Sequence, residues 1–91
     1  MRVISQDGAI DVPYEISSFS MAVWKYNGVE HAAVYCHNSS TAEETKMAEY
    51  NSKEKAKKAM GLLRNEYAKH KSVFCFPSDE KLEATWKLYQ P

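Results

Sequence analysis

Three histidines, two cysteines and a few adjacent carboxylates are the residues of this chain whose types could do chemistry. His31, Cys36, His37, His70 and Cys75 carry the imidazole and thiol groups that suit zinc. Residues 29–37, however, alternate as a strand, which sends Cys36 to the face opposite His31 and His37. Adjacent His and Cys on a strand are poorly placed to share one ion, so no metal is expected. Cys75 and His70 would form a nucleophile and base only if the fold happened to join them. Glu43-Glu44 falls in a polar stretch. Asp79-Glu80 falls in the first turn of a helix, where the helix dipole favours anions. With only three glycines, the chain has no phosphate-cradling loop, no dinucleotide turn and no G-x-S-x-G elbow. A converging set of acid, base and anion-hole groups is missing, so no catalytic residue and no cofactor is expected.

Binding is the remaining class. The formal net charge is zero, from 12 basic and 12 acidic residues, but the charges are segregated. Residues 53–71 contain Lys53, Lys55, Lys57, Lys58, Arg64, Lys69 and Lys71 against Glu54 and Glu66. The first fifty residues contain only Arg2, Lys25 and Lys46 as basic groups. A basic helix could offer Lys53, Lys57, Lys58 and Arg64 to phosphate groups, with Arg64 the best bidentate donor. The simpler alternative is a helix face that lysines keep solvated. Trp24, His31 and Tyr35 could stack on a planar ligand or anchor a protein partner, and Phe76 could add a further stacking ring. For the first three, the alternative is a second core layer beneath the C-terminal helix and Trp86. A neutral chain is a poor candidate for nucleic-acid binding, which favours strongly basic domains.

The elements that must position these groups are legible. Val3–Ser5 and Ala9–Val12 flank Gln6-Asp7-Gly8 and read as a tight hairpin closed by Pro13. Residues 16–26 and 29–37 flank Asn27-Gly28, whose types favour the positive φ of a type I′ turn. A two-residue loop fixes the register, pairing Tyr26 with Val29 and Lys25 with Glu30. One face then carries Phe19, Met21, Val23, Ala32, Val34 and Cys36, and is expected to face the core. The other carries Trp24 opposite His31, Ala22 opposite Ala33, Ser20 opposite Tyr35 and Ser18 opposite His37. Asn38–Thr45 reads as a polar loop and Lys46–Tyr50 as a further strand. Asn51 or Ser52 caps a helix at about 53–70, with Asn51 and Glu54 spaced as a capping box. Ala56, Ala59, Met60, Leu63 and Tyr67 give it one apolar stripe. Gly61 weakens that helix by about 1 kcal/mol relative to alanine unless it permits a close contact. Val73–Phe76 reads as a strand stopped by Pro77. Ser78 caps a last helix with Leu82, Thr85, Trp86 and Tyr89 on one face.

The 91 residues, 44% of them apolar, suit one domain of class α+β: an antiparallel β-meander packed on one main α-helix, with a short C-terminal helix. A core this small is often supported by oligomerisation, so a homo-oligomer is expected. No apolar run is long enough to span a membrane. The opening residues turn polar too early for a secretory signal, and a cytoplasmic location is the default expectation. Cys36 and Cys75 are expected as reduced thiols packed like small apolar side chains.

Val3–Glu15, reading V-I-S-Q-D-G-A-I-D-V-P-Y-E, resembles the start of a family of short proteins encoded by phages and prophages of Firmicutes. The chain resembles that family again at Tyr50–Met60 and at Phe74–Pro77, over about half its length. In layout it is similar to the anti-Thoeris sponge proteins. Those are not enzymes: they oligomerise and sequester nucleotide-derived signals made by TIR or related enzymes. The resemblance implies a phage-encoded anti-defence protein in the host cytoplasm, with a nucleotide-derived signalling molecule as partner. The basic helix and an aromatic residue of a neighbouring copy would grip that ligand. Alternatives are an inhibitor that binds a host defence protein, or a small phage protein of structural role.

Overall fold

In the computed structural model, residues 1–38 and 43–87 are described. The order along the chain is β1 (Arg2–Ile4), β2 (Asp11–Pro13), a 3-10 turn (Tyr14–Ile16), β3 (Ser17–Tyr26), β4 (Val29–Asn38), β5 (Thr45–Tyr50), α1 (Lys53–Ala68), β6 (Val73–Cys75) and α2 (Asp79–Lys87). These make an α+β fold of two three-stranded sheets against a long and a short helix.

The larger sheet is the meander β3-β4-β5. Asn27 and Gly28 take φ of 51° and 77°, as a type I′ turn demands. Every cross-strand partner then follows, from Tyr26–Val29 at the tip to Ser17–Asn38 at the base. β5 pairs with β4 through a bulge, because Val34 faces Ala48 while Tyr35 faces Lys46. Met47 is the extra residue, and it is buried.

The smaller sheet has order β2-β1-β6. β1 and β2 form the expected hairpin, Val3 opposite Val12. Its loop is held by Asp7, whose carboxylate accepts from the Ser5 hydroxyl and the Ala9 N–H. β6 ends one residue earlier than expected and runs parallel to β1, a long-range pairing with no local sequence signal.

α1 covers the apolar face of the meander. Its N-cap is Ser52, whose hydroxyl accepts from the Lys55 N–H at 3.2 Å. The Asn51–Glu54 capping box does not form: the Asn51 N–H donates to Asp79 instead. Ala56, Ala59, Leu62 and Leu63 are buried. Leu62, absent from the expected stripe, is buried because α2 covers a second flank of the helix. On that flank Lys55 pairs with Asp79 at 2.6 Å and Lys58 with Glu83 at 2.9 Å. Tyr67, expected in the stripe, is largely exposed and stacks on Tyr14 with ring centroids 4.1 Å apart.

The Cα framework is 18 Å deep along its shortest axis, about one sheet plus one helix layer. Residues 39–42 of the expected loop and Tyr89 lie outside the described residues. No described helix is long and apolar enough to cross a membrane.

Candidate functional site

The hairpin register sorts the aromatic groups. Trp24 and His31 are direct partners across β3 and β4, and their rings stack with centroids 5.7 Å apart and planes 14° apart. Tyr35 lies further along the same face of β4, beside Ser20. β5 adds Lys46 opposite Tyr35 and Glu49 opposite Ala33. Lys46 Nζ donates to Glu49 Oε1 at 2.9 Å, a bond that holds the ammonium above its ordinary pKa. His31 Nδ1 lies 3.9 Å from Glu49 Oε2. The result is an open platform: a stacked indole and imidazole, a phenol, and a paired ammonium and carboxylate.

Across the platform Ser20, Ala22, Trp24 and Lys46 are exposed, His31, Tyr35 and Glu49 are half-buried, and Ala33 between them is fully buried. α2 packs against α1, on the other side of the sheet, and Trp86 lies over Gly61. A Cβ at Gly61 would come 3.2 Å from Trp86 Cζ3. The glycine therefore does permit a close contact, and that contact takes Trp86 away from the sheet. Trp24 remains 37% exposed, so the second-core-layer alternative does not hold for the described residues.

The other expected site residues do not join this surface. Phe76 is 3% exposed; its ring sits edge-on to Phe74 at 5.1 Å and tilted toward Phe19 at 6.4 Å. It is a core residue, because its N–H is tied to the Ile4 carbonyl at 3.1 Å and the chain turns it inward before Pro77. Lys53, Lys57 and Arg64 are exposed on α1, at positions i, i+4 and i+11 of one flank. Since α1 covers the apolar face of the meander, this flank and the aromatic platform lie on opposite sides of the sheet. Trp86 was not expected near the basic flank, yet the space above Gly61 is bounded by its ring and, at 3.9 Å, by Arg64 Nη2. The mid-helix glycine was the one sequence signal that could have placed it.

Val23 was expected in the core but is 43% exposed, because α1 lies over β4 more than over the outer strand β3. Cys36 is buried as expected. Cys75 is exposed: in the three-residue β6 only Phe74 points inward, leaving Val73 and Cys75 outside. Among the described residues no three His, Cys, Asp or Glu side chains gather.

Two clefts open away from the platform's aromatic centre. One, of about 180 Å3, runs along β5 between Gln6, Asp7, Lys46 and Glu49. The other, of about 290 Å3, is lined by Met1, Glu15, Tyr67, His70 and Lys71. No protein-family model, curated protein or solved structure matches the chain.

Proposed function

We propose that this chain is a non-enzymatic binding protein that sequesters a nucleotide-derived signalling molecule on the open aromatic face of its meander. The observation that carries this reading is the Trp24–His31 stack, with Trp24 exposed and His31 half-buried, flanked by Tyr35. Preformed, parallel rings on a rigid sheet give a planar base a stacking surface, worth about 1–3 kcal/mol per base. Lys46 and the exposed His37 on the same face would meet the charged part of such a ligand. The likeness of Val3–Glu15 to short phage proteins, and of the layout to the anti-Thoeris sponges, agrees in class. Such a protein would act in the cytoplasm of the host cell. Lys53, Lys57 and Arg64 would serve as a phosphate contact only toward a ligand seated on the helix side, next to Trp86.

A thermal-shift screen against cyclic and glycosidic nucleotides tests the reading. A ligand at about a hundred times its Kd adds about 2.7 kcal/mol, which raises the Tm of a chain this size by roughly 10 °C or more. The shift is expected to vanish in Trp24→Ala and to persist in Arg64→Ala. The reverse pattern would move the site to the helix flank. No shift with any nucleotide would contradict sequestration.

A second reading is favoured by the hairpin tip, where Tyr26 is 68% and Val29 54% exposed. Large exposed apolar groups at a protruding tip suit a protein partner, here a host defence component. Specific recovery of one host protein by the wild type, lost in Tyr26→Ala, would support it. An empty pull-down alongside a nucleotide shift would exclude it.

A further inference from the structure

β3 is an outer strand of the meander, and its free edge is unusually bare. The Tyr26–Val29 pair flanking a two-residue loop is the hydrogen-bonded kind, and such pairs alternate with the other kind along the ladder. The backbone N–H and C=O of Phe19, Met21, Val23 and Lys25 therefore point away from β4. Among the described residues β3 pairs with β4 alone, and no turn, loop or cap backbone bond reaches any of these four. Folded proteins guard such edges with short strands, prolines, bulges, charges or a covering segment. The other edges here are guarded. Along β5, the Gln6 N–H donates to the Met47 carbonyl at 2.7 Å and Gln6 Oε1 accepts from the Glu49 N–H at 3.0 Å. β2 and β6 are three residues long, and β2 ends in Pro13. β3 runs ten residues with no proline, no register shift against β4 and one charge, Lys25.

From this edge we infer that β3 pairs antiparallel with β3 of a second copy, joining two meanders into one six-stranded sheet. The strand's own pattern selects that occupant. Its platform-side residues run small to large, Ser18, Ser20, Ala22, Trp24 and Tyr26. A twofold axis at Ala22 sets Ser20 beside the second copy's Trp24, and Ser18 beside the second copy's Tyr26. On the helix side it sets Met21 beside the second copy's Val23, and Phe19 beside the second copy's Lys25. The residues whose polar groups point outward then meet one another, so each of those groups gains a partner. Lys25 is off the axis, so no like charges oppose. The pairing also covers Val23 and Trp24, two of the large apolar side chains that one copy leaves exposed.

The dimer stands whether or not a nucleotide binds, but it completes the platform. Existing registers place Lys46, Tyr35 and Ser20 in one row across β5, β4 and β3. The second copy would continue that row with its Trp24 and His31. Tyr35 of one copy and Trp24 of the other would stand about two strand spacings apart, roughly 10 Å, over a floor of Ser20. Two such slots would be related by the axis.

The test is light scattering and sedimentation of the full chain. The wild type is expected as a dimer. Ala22→Glu, which places two carboxylates across the axis but changes only an exposed side chain of each copy, is expected to weaken self-association at least tenfold. Its circular dichroism should remain that of the wild type. At a non-hydrogen-bonded site the Cα atoms lie about 4.5 Å apart, within disulfide range. Ala22→Cys in a Cys75→Ser background should therefore cross-link fully on mild oxidation, whereas Val29→Cys in that background should not. A monomeric wild type, an assembly that Ala22→Glu leaves intact, or equal cross-linking at residue 29 would overturn the inference.

Discussion

Phe76→Ala is expected to destabilise the protein by about 3–5 kcal/mol, as a lowered urea midpoint with little change in slope. The ring is 3% exposed and links the two sheets, touching Phe74 of the small one and Phe19 of the meander. Truncation loses the transfer free energy of the ring and leaves a cavity that the walls can fill only in part. Those walls are held by hydrogen bonds on both sides: the Phe76 N–H donates to the Ile4 carbonyl, and the Pro77 carbonyl accepts from the side chains of Tyr50 (Oη, 2.8 Å) and Gln6 (Nε2, 3.1 Å). A domain of this length commonly has 5–15 kcal/mol of stability in total, so the loss is a large share of it. A cost below about 1 kcal/mol would mean that the ring does not bridge the sheets, and would reopen its use as a stacking group for a ligand.

The second large effect is expected at Leu82→Ala, at about 2–5 kcal/mol. α2 has nine residues, too few to be stable as an isolated helix, so its order depends on what it packs against. Leu82 is its one fully buried side chain among the described residues. The Lys58–Glu83 pair on the same flank is half-exposed, and pairs of that kind contribute about 0–1 kcal/mol. Burial of Leu82 therefore dominates over the ion pair, and Lys58→Ala should cost under about 1 kcal/mol. Urea denaturation of both variants checks the ranking. Fluorescence of Trp86, which rests on Gly61, should report loosening of α2 in Leu82→Ala before global unfolding. Equal costs for the two variants would contradict this account of how α2 is held.

The parts of the fold that could be read from sequence are those fixed by local chemistry. Asn27-Gly28 admits one short turn, and the turn admits one register, which paired β3 with β4 as expected; only the burial of Val23 on the helix side departed from it. The cap residues Asn51 or Ser52 and the apolar spacing after them located α1 in the same way, and the structure chooses Ser52. What could not be read depends on contacts distant in sequence. β6 offers only three residues, a length at which alternation cannot tell an inward Cys75 from an outward one. Its parallel pairing with β1 spans most of the chain. Leu62 falls outside the expected stripe because α1 reads as a helix with one buried side until α2 is placed across its second flank.

The candidate site divides along the same line. Trp24, His31 and Tyr35 fall on one face of the sheet, as the hairpin register requires. Joining them to Lys53, Lys57, Arg64 and Phe76 required knowing on which side of the sheet α1 packs. The apolar face with Val34 and Cys36 draws the helix to itself by burial. That choice leaves the aromatic platform open and puts the basic flank behind it.

The most direct test of the central claim is the fluorescence of Trp24 in a Trp86→Phe variant, which leaves it as the sole tryptophan of the chain. Titration with the nucleotide that gives the largest thermal shift is expected to quench Trp24 saturably, with the same Kd as an independent calorimetric titration. Nucleotide binding that leaves Trp24 emission unchanged would contradict the claim that the open aromatic face is where this protein holds its ligand.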